Sequence, residues 1–482
     1  MLSHIQRHPP VLKIFFATEM WERYGFYVVQ TLLALYLALH FHWQDDDIYT
    51  LVSSFTGLTY LSPILGGFVA DHWIGQKRAV FLGIFFLFIS YLALATMSSD
   101  FFLRLSLAST AIGTGLLKPN ISSLLGKIYP EKAPERESGF TLFYMGITLG
   151  IMFGTTLPSY LLHQFGWPTT YASAAIGIIF AAYLFYYGVK YYQIEDCQKS
   201  PASAFEFLVE PSLTILAFWL ISLAVLFYSS IGTIVFGTVL CLSVGYVIYA
   251  AGSETYQQSK QTLVLGLLCL ISVIYWAFYF QMFLSLTLFI TRVVDPKLFG
   301  IAFPAPYYVF VESFGILIIG YFLAMQHQVL NNQQIAIRTS TKFFLSIISI
   351  ALAYFIIVLS ILYNPGYKLI HPLFIIPAYI LISISELLIS PVGLSVITAL
   401  ADRKRVSTLM GIFFVSLSLG GYLAGILAKI TNITNDITDI MLIKTHYFKG
   451  FSILLAILLV SIIVSYCLKR AVVHMMLKPL KL

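Results

Sequence analysis

Six ionisable residues interrupt long apolar stretches of this 482-residue sequence: Glu19, Glu22, Arg23, Lys118, Glu312 and Glu386. A carboxylate beside a cation has its charged form favoured, whereas apolar surroundings favour the neutral form. A group balanced between the two can take up or release a proton when its neighbour moves. Glu19, Glu22 and Arg23 meet that description most directly. With Phe26, Tyr27 and Gln30 they follow steps of three and four, forming one stripe of a helix. Glu386 shares a face with Ser383, Ser390 and Gly393, a second polar stripe. Lys118 lies in GTGLLKPN, after small residues and before Pro119, and Glu312 stands alone, four residues after Tyr308 on the same face. The competing reading is structural: charges that pair only to fix helix packing, and a Lys118 that reaches to the interface.

The elements that position these residues are membrane helices. The chain is 59% hydrophobic and 10% charged, against roughly 45–50% and about 25% in soluble domains. Its solvent is therefore lipid. Unpaired in hydrocarbon, six ionised groups would cost about 15–20 kcal/mol, at or above a typical folding stability. They must share a polar interior. Apolar runs long enough to cross a bilayer recur about fourteen times. They are predicted near 11–39, 49–71, 78–98, 101–127, 139–164, 169–191, 210–228, 231–252, 262–291, 303–325, 342–363, 370–400, 406–430 and 447–470. Joints at 193–204 and 254–261 divide the chain into a six-helix bundle (1–195), two additional helices (205–255) and a second six-helix bundle (260–482). The expected fold is thus all-α and integral to the membrane. Six plus six is the arrangement of a major facilitator transporter, in which two bundles rock about a midplane site.

Basic residues cluster at the ends of apolar runs, about nineteen in the alternate segments that include both termini against about seven in the others. Both termini are expected in the cytoplasm, with the acidic run Asp45, Asp46, Asp47 facing outward. The net charge of +7 follows from this topology and not from a nucleic-acid surface. Cys197, Cys241, Cys269 and Cys467 lie far apart and have no metal-ligand spacing. Met1 to Pro10 shows no cleavable signal pattern. A channel would need a repeated pore loop and an enzyme a nucleophile or metal motif, and neither is visible.

Longer motifs surround the charged positions. ATEMWERYGFYVVQ (17–30) resembles the first-helix signature, with its Glu-x-x-Glu-Arg core, of the proton-dependent oligopeptide transporters. YLSPILGGFVADHWIGQKR (60–78), GTGLLKPN, ERESGFTLFYMGITLG (135–150), SELLISPVGLSVITALA (385–401) and LMGIFFVSLSLGGYLAG (409–425) resemble further signatures of that family, in order along the chain. The central helix pair is similar to the extra pair of its bacterial members.

The resemblance implies a major facilitator fold in a bacterial inner membrane, uptake of di- and tripeptides with protons, no cofactor and a monomeric chain. Another small solute (nitrate, an amino acid or a modified peptide) is the alternative on the same fold. It also implies roles. Glu19, Glu22 and Arg23 would form the proton-linked group facing the peptide's carboxyl end, helped by Lys118. Tyr27 and Tyr60 would line the site, Glu386 would receive the amino end, and Trp276 would wall a side-chain pocket. Asp71, Lys77 and Arg78 would govern bundle closure.

Departures from the family pattern touch further site positions. Gln30 stands where many relatives have arginine, and Thr148 where asparagine is usual. Phe280, just before Gln281, replaces an acidic group of some relatives, Glu312 replaces a common asparagine, and Phe413 a common tryptophan. Gln281 and Ser390 are expected among the substrate contacts. Glu312 is expected to substitute in part for the carboxylate missing at Phe280, as an amino-end contact or a second proton site.

Overall fold

In lipid every backbone N–H and C=O must be satisfied within its own segment, so apolar runs of this length fold as helices. The structure, a computed structural model, describes residues 8–129, 135–194, 209–324, 332–402, 405–434 and 436–477. Cys197, the basic residues Lys132, Arg403 and Lys404, and most of the joint at 193–204 lie outside the described residues. The helices are α1 (Val11–Leu39), α2 (Asp45–Val69), α3 (Gln76–Thr96), α4 (Asp100–Ile128), α5 (Glu135–Tyr192), α6 (Glu210–Phe227), α7 (Ser229–Gly252), α8 (Tyr256–Tyr279), α9 (Ser285–Val293), α10 (Pro306–Ala324), α11 (Asn332–Leu362), α12 (Ile376–Leu400), α13 (Val406–Ala428) and α14 (Ile440–Leu477). A two-residue antiparallel hairpin, Lys297–Leu298 with Ile301–Ala302, precedes α10.

Among the described residues ten helical stretches are long and apolar enough to cross a membrane. The chain is a multi-pass membrane protein. Neither α1 nor α4 is among the ten, and α10 counts only as a shorter apolar helix. These three carry Glu19, Glu22, Arg23, Lys118 and Glu312.

Several boundaries differ from the sequence expectation, each for a local reason. The second helix begins at Asp45, not near 49, because Asp45, Asp46 and Asp47 fill its first turn, where unpaired N–H groups favour negative charge. Within α5, by contrast, the two helices expected at 139–164 and 169–191 are both present, joined across a kink at Gly166 with φ 80° and ψ −176°. Glycine adopts that conformation without a Cβ clash.

The run expected as continuous over 262–291 breaks after Tyr279 into a 3-10 turn, Phe280–Phe283, before α9 resumes. Side chains bind the backbone carbonyls around the break. Gln281 Nε2 donates to Ala277 O (3.2 Å) and Ala424 O (2.7 Å), Tyr354 OH to Phe278 O (3.0 Å), and Thr287 Oγ1 to Met282 O (2.6 Å). A membrane helix tolerates such a break when neighbours satisfy it in this way.

Packing groups the chain into two compact units, Met1–Leu33 with Leu58–Gly232, and Ala34–Gly57 with Thr233–Leu482. In the first, α5 lies against α1 through Gly146, Gly150 and Gly154. A Cβ at Gly146 or Gly154 would stand 2.8 Å from the Phe16 or Tyr24 carbonyl oxygen, and one at Gly150 would stand 2.7 Å from Arg23 Cβ. Small residues four apart permit this approach. Gly115 of α4 meets Ser62 and Gly66 of α2 in the same manner. The central helix pair is shared out: α6 joins the first unit, where Trp219 Nε1 donates to Ser109 Oγ (3.1 Å), and most of α7 joins the second, where Phe236 stacks on Tyr422 at 4.2 Å.

The second unit also holds the start of α2. Arg292, at the end of α9, forks onto Asp45 at 2.6 and 2.7 Å and donates to Tyr447 OH (3.0 Å), while the Ile433 N–H donates to Asp45 Oδ2 (3.0 Å). Asp45 is 1% exposed. The neighbouring pair, Lys429 with Asp46 at 2.8 Å, is exposed. Removing one partner of a buried pair costs at most about 3–5 kcal/mol, against about 0.2–1 kcal/mol for an exposed pair. Arg292→Gln should therefore lower the melting temperature of the purified protein by several degrees, and Lys429→Gln should barely move it. Equal shifts would show that the buried carboxylate of Asp45 does not anchor this end of α2.

Candidate functional site

In the first unit the stripe predicted on α1 is buried, with Glu19 and Glu22 wholly so and Arg23 nearly so. The Arg23 guanidinium forks onto Glu22, Nε to Oε2 and Nη2 to Oε1, the latter at 2.5 Å. Bidentate pairs of this kind are the strong, directional form of the ion pair. Glu19 Oε1 lies 3.4 Å from Arg23 Nε, and neither Glu19 oxygen has a hydrogen bond among the described residues. Arg23 thus serves two carboxylates but bonds only one. Lys118 of α4 adds a second positive field on Glu19, and its Nζ stands 5.7 Å from the Tyr60 ring.

Tyr27 is half-buried one turn after Arg23, and Gln30 is buried one turn further on. Thr148 of α5 is buried and its hydroxyl donates to Tyr144 O (3.2 Å) within its own helix. It therefore presents only lone pairs. Tyr91 of α3 was not legible as a site residue, because it sits in an ordinary apolar run, LFISYLALA. Its buried hydroxyl has no hydrogen bond among the described residues and feels both Glu22 and Arg23.

In the second unit, Tyr279 of α8 joins the two isolated carboxyl groups. Its hydroxyl is 2.6 Å from Glu386 Oε2 on α12 and 3.3 Å from Glu312 Oε1 on α10. The two carboxyls lie close enough to hydrogen-bond each other. Ser313 Oγ donates to Glu312 Oε2 (3.1 Å), and Ser383 Oγ donates to the Glu312 carbonyl (2.7 Å), which binds α12 to α10. Glu312 is 2% exposed, whereas Glu386 is half-buried. Trp276 stacks on Phe280 at 5.5 Å and meets the edge of Tyr279 at 4.9 Å, and its buried Nε1 has no hydrogen bond among the described residues. Ser390, one turn after Glu386, is partly exposed. Phe413 packs on Gly393. Tyr279 escaped the sequence reading, although its position three residues after Trp276 puts it on the same helix face.

Gln281 is placed at the break in the backbone. It is wholly buried, its amide N–H groups hold Ala277 and Ala424, and its Oε1 accepts from Ser285 Oγ (2.6 Å). Its amide sustains the break between α8 and α9. Asp71 lies exposed in the π turn Ala70–Ile74, with Gln76 Nε2 donating to it at 3.3 Å and to Ser123 at 2.7 Å. Lys77 Nζ donates to Ile194 O (2.8 Å), and Arg78 is exposed. Gln76, which also accepts from Lys127, is the hub of this group and carried no signal in the sequence. Among the described residues no cluster of His, Cys, Asp and Glu could hold a metal.

The PTR2 profile, that of the POT family, matches residues 77–444. The match begins after α1, so Glu19, Glu22 and Arg23 lie outside it. The dipeptide and tripeptide permease A of Chromobacterium violaceum is 29% identical over 481 residues, covering 96% of this chain and 94% of its own. The permease of the same name from Escherichia coli K12 is 28% identical over 450 residues, covering 90% and 87%. A solved structure described under structural insights into substrate recognition in proton dependent oligopeptide transporters superposes with a TM-score of 0.79 at 24% identity, covering 97% of this chain and 99% of that one. The all-α membrane fold, of the major facilitator type, is therefore shared.

Leaving a buried polar group unsatisfied costs about 1–3 kcal/mol, so Gln281→Leu should destabilise the protein by that amount in thermal or denaturant unfolding. Adding Ser285→Ala should cost little more, because the two residues share one hydrogen bond. Full additivity of the two losses would show that Gln281 and Ser285 do not act together at the break.

Proposed function

Because the chain belongs to the POT family, we propose that it is a proton-coupled symporter that imports di- and tripeptides by alternating access. It is a secondary transporter and not an enzyme. The observation that carries this reading is the α1 cluster, a buried guanidinium bonded to Glu22 with Glu19 3.4 Å away and Lys118 acting on the same carboxylate. A proton arriving from outside neutralises one carboxylate and releases part of the Arg23 fork. Arg23, with Lys118, then accepts the peptide's carboxylate, whose planar geometry matches a guanidinium. Loss of the proton to the cytoplasm restores the ion pair and displaces the peptide.

Glu386 receives the amino end. Tyr27, Gln30, Tyr60, Thr148, Trp276 and Ser390 line the peptide, while Asp71, Lys77 and Arg78 control closure. The six-helix bundles are 1–195 and 260–482, with the pair at 205–255 added. The chain works as a monomer in a bacterial inner membrane, with both termini on the cytoplasmic side where basic segments are retained.

Energetics set what such a carrier can achieve. One proton moving inward gains about 2.3 kcal/mol per 100 mV, and one pH unit adds about 1.4 kcal/mol. Together they support accumulation of roughly several hundredfold. Proton and peptide drive the conformational change only by their differential affinity for its two states.

In liposomes with an alkaline, negative interior, labelled dialanine should accumulate above equilibrium, with neither nitrate nor free alanine competing. Glu22→Gln should reduce uptake to simple equilibration. Competition by nitrate, or undiminished accumulation by Glu22→Gln, would overturn this assignment.

A further inference from the structure

Two carboxyl groups in contact, Glu312 buried and Glu386 half-buried, pose a problem that the α1 cluster does not have. Around Glu22 and Glu19 the charges are balanced by Arg23 and Lys118. Around Glu312 and Glu386 no ion pair forms among the described residues. The groups that face the pair come from four elements: Tyr275 and Tyr279 of α8, Ser313 and Tyr308 of α10, Tyr354 of α11 through Tyr379, and Tyr379 and Ser383 of α12. All are neutral donors or rings.

Donor capacity is limited as well. Tyr279 has one phenolic proton and two carboxylate neighbours, and it favours Glu386, at 2.6 Å over 3.3 Å. Ser383 is occupied by backbone carbonyls, of Glu312 (2.7 Å) and Tyr379 (3.0 Å). Among the described residues, Ser313 is then the donor left to Glu312. A contact between two carboxyl groups is a hydrogen bond only if one of them carries the hydrogen, and like charges this close do not both ionise.

We propose that Glu312 and Glu386 hold one proton between them, so that the pair carries a single negative charge. Resting on the peptide reading above, which brings the peptide's amino end to Glu386, that single charge is what the ammonium meets. Glu312, buried behind Tyr279, keeps the proton, and the half-buried Glu386 meets the ammonium. One proton taken from water brings the pair from two negative charges to one, and the ammonium brings it to zero. The loaded site is then neutral, the state that costs least to seal from water.

Infrared difference spectroscopy on the substrate-free protein tests the shared proton without reference to any peptide. Wild type should show the C=O stretch of one protonated carboxyl more than either Glu312→Gln or Glu386→Gln, while Glu22→Gln retains that band. A band unchanged in both single variants would overturn the proposal.

The second arm compares binding of dialanine and N-acetyl-dialanine. Wild type should prefer the free amine by about tenfold or more. Glu386→Gln should lose that preference, and Glu312→Gln should lose the pH dependence of dialanine binding. A preference that survives Glu386→Gln would show that the ammonium does not meet that charge. Failure of wild type to bind dialanine, with the infrared difference intact, would instead strike the peptide reading and leave the shared proton standing. Loss of the band difference with dialanine still bound would do the reverse.

Discussion

The Arg23 guanidinium, buried in α1 and forked onto Glu22, dictates much of what surrounds it. A cation in that position is tolerable only while it is paired, and stripping one partner from a buried pair costs several kcal/mol. The helices around it must therefore come close enough to exclude lipid and still leave room for two carboxylates. Glycines meet both demands. Gly146, Gly150 and Gly154 let α5 lie directly against the charged stretch of α1, and Gly115 lets α4 approach α2 so that Lys118 stands beside Tyr60 and acts on Glu19. The same packing leaves both Glu19 oxygens without hydrogen bonds among the described residues. That carboxylate is the loosely held member of the cluster.

The second unit handles buried charge by different means. Two acids that form no ion pair among the described residues are held by hydroxyl groups of Tyr279 and Ser313 and by their own contact. One set of residues therefore sets two cations against two acids, and the other is acidic.

The break between α8 and α9 shows how departures from the family pattern are absorbed. Phe280, where some relatives carry an acid, lies on Trp276 and becomes part of an apolar wall. Its neighbour Gln281 turns away to hold the Ala277 and Ala424 carbonyls. Glu312 of α10 meets Tyr279, the last residue of α8 before the break.

What the residues alone determined was local or compositional. Bilayer residence follows from apolar runs of bilayer length, and the inward stripe of α1 follows from helical periodicity, since residues three and four apart must share a face. The adjacency of Glu22 and Arg23 was readable for the same reason, although which acid would take the fork was not. Tertiary structure decided the pairings between distant segments. Tyr279 meets Glu312 across 33 residues and Glu386 across 107, and Arg292 meets Asp45 across 247. Such meetings depend on how each helix is rotated and where it crosses its neighbour. Those are set by contacts such as Gly115 against Ser62 or Ser383 against the Glu312 carbonyl, which no periodicity within a single helix encodes. The same reason hid the inward turn of Gln281: its amide is drawn to a carbonyl 143 residues away, a partner that exists only once α13 has packed against α8.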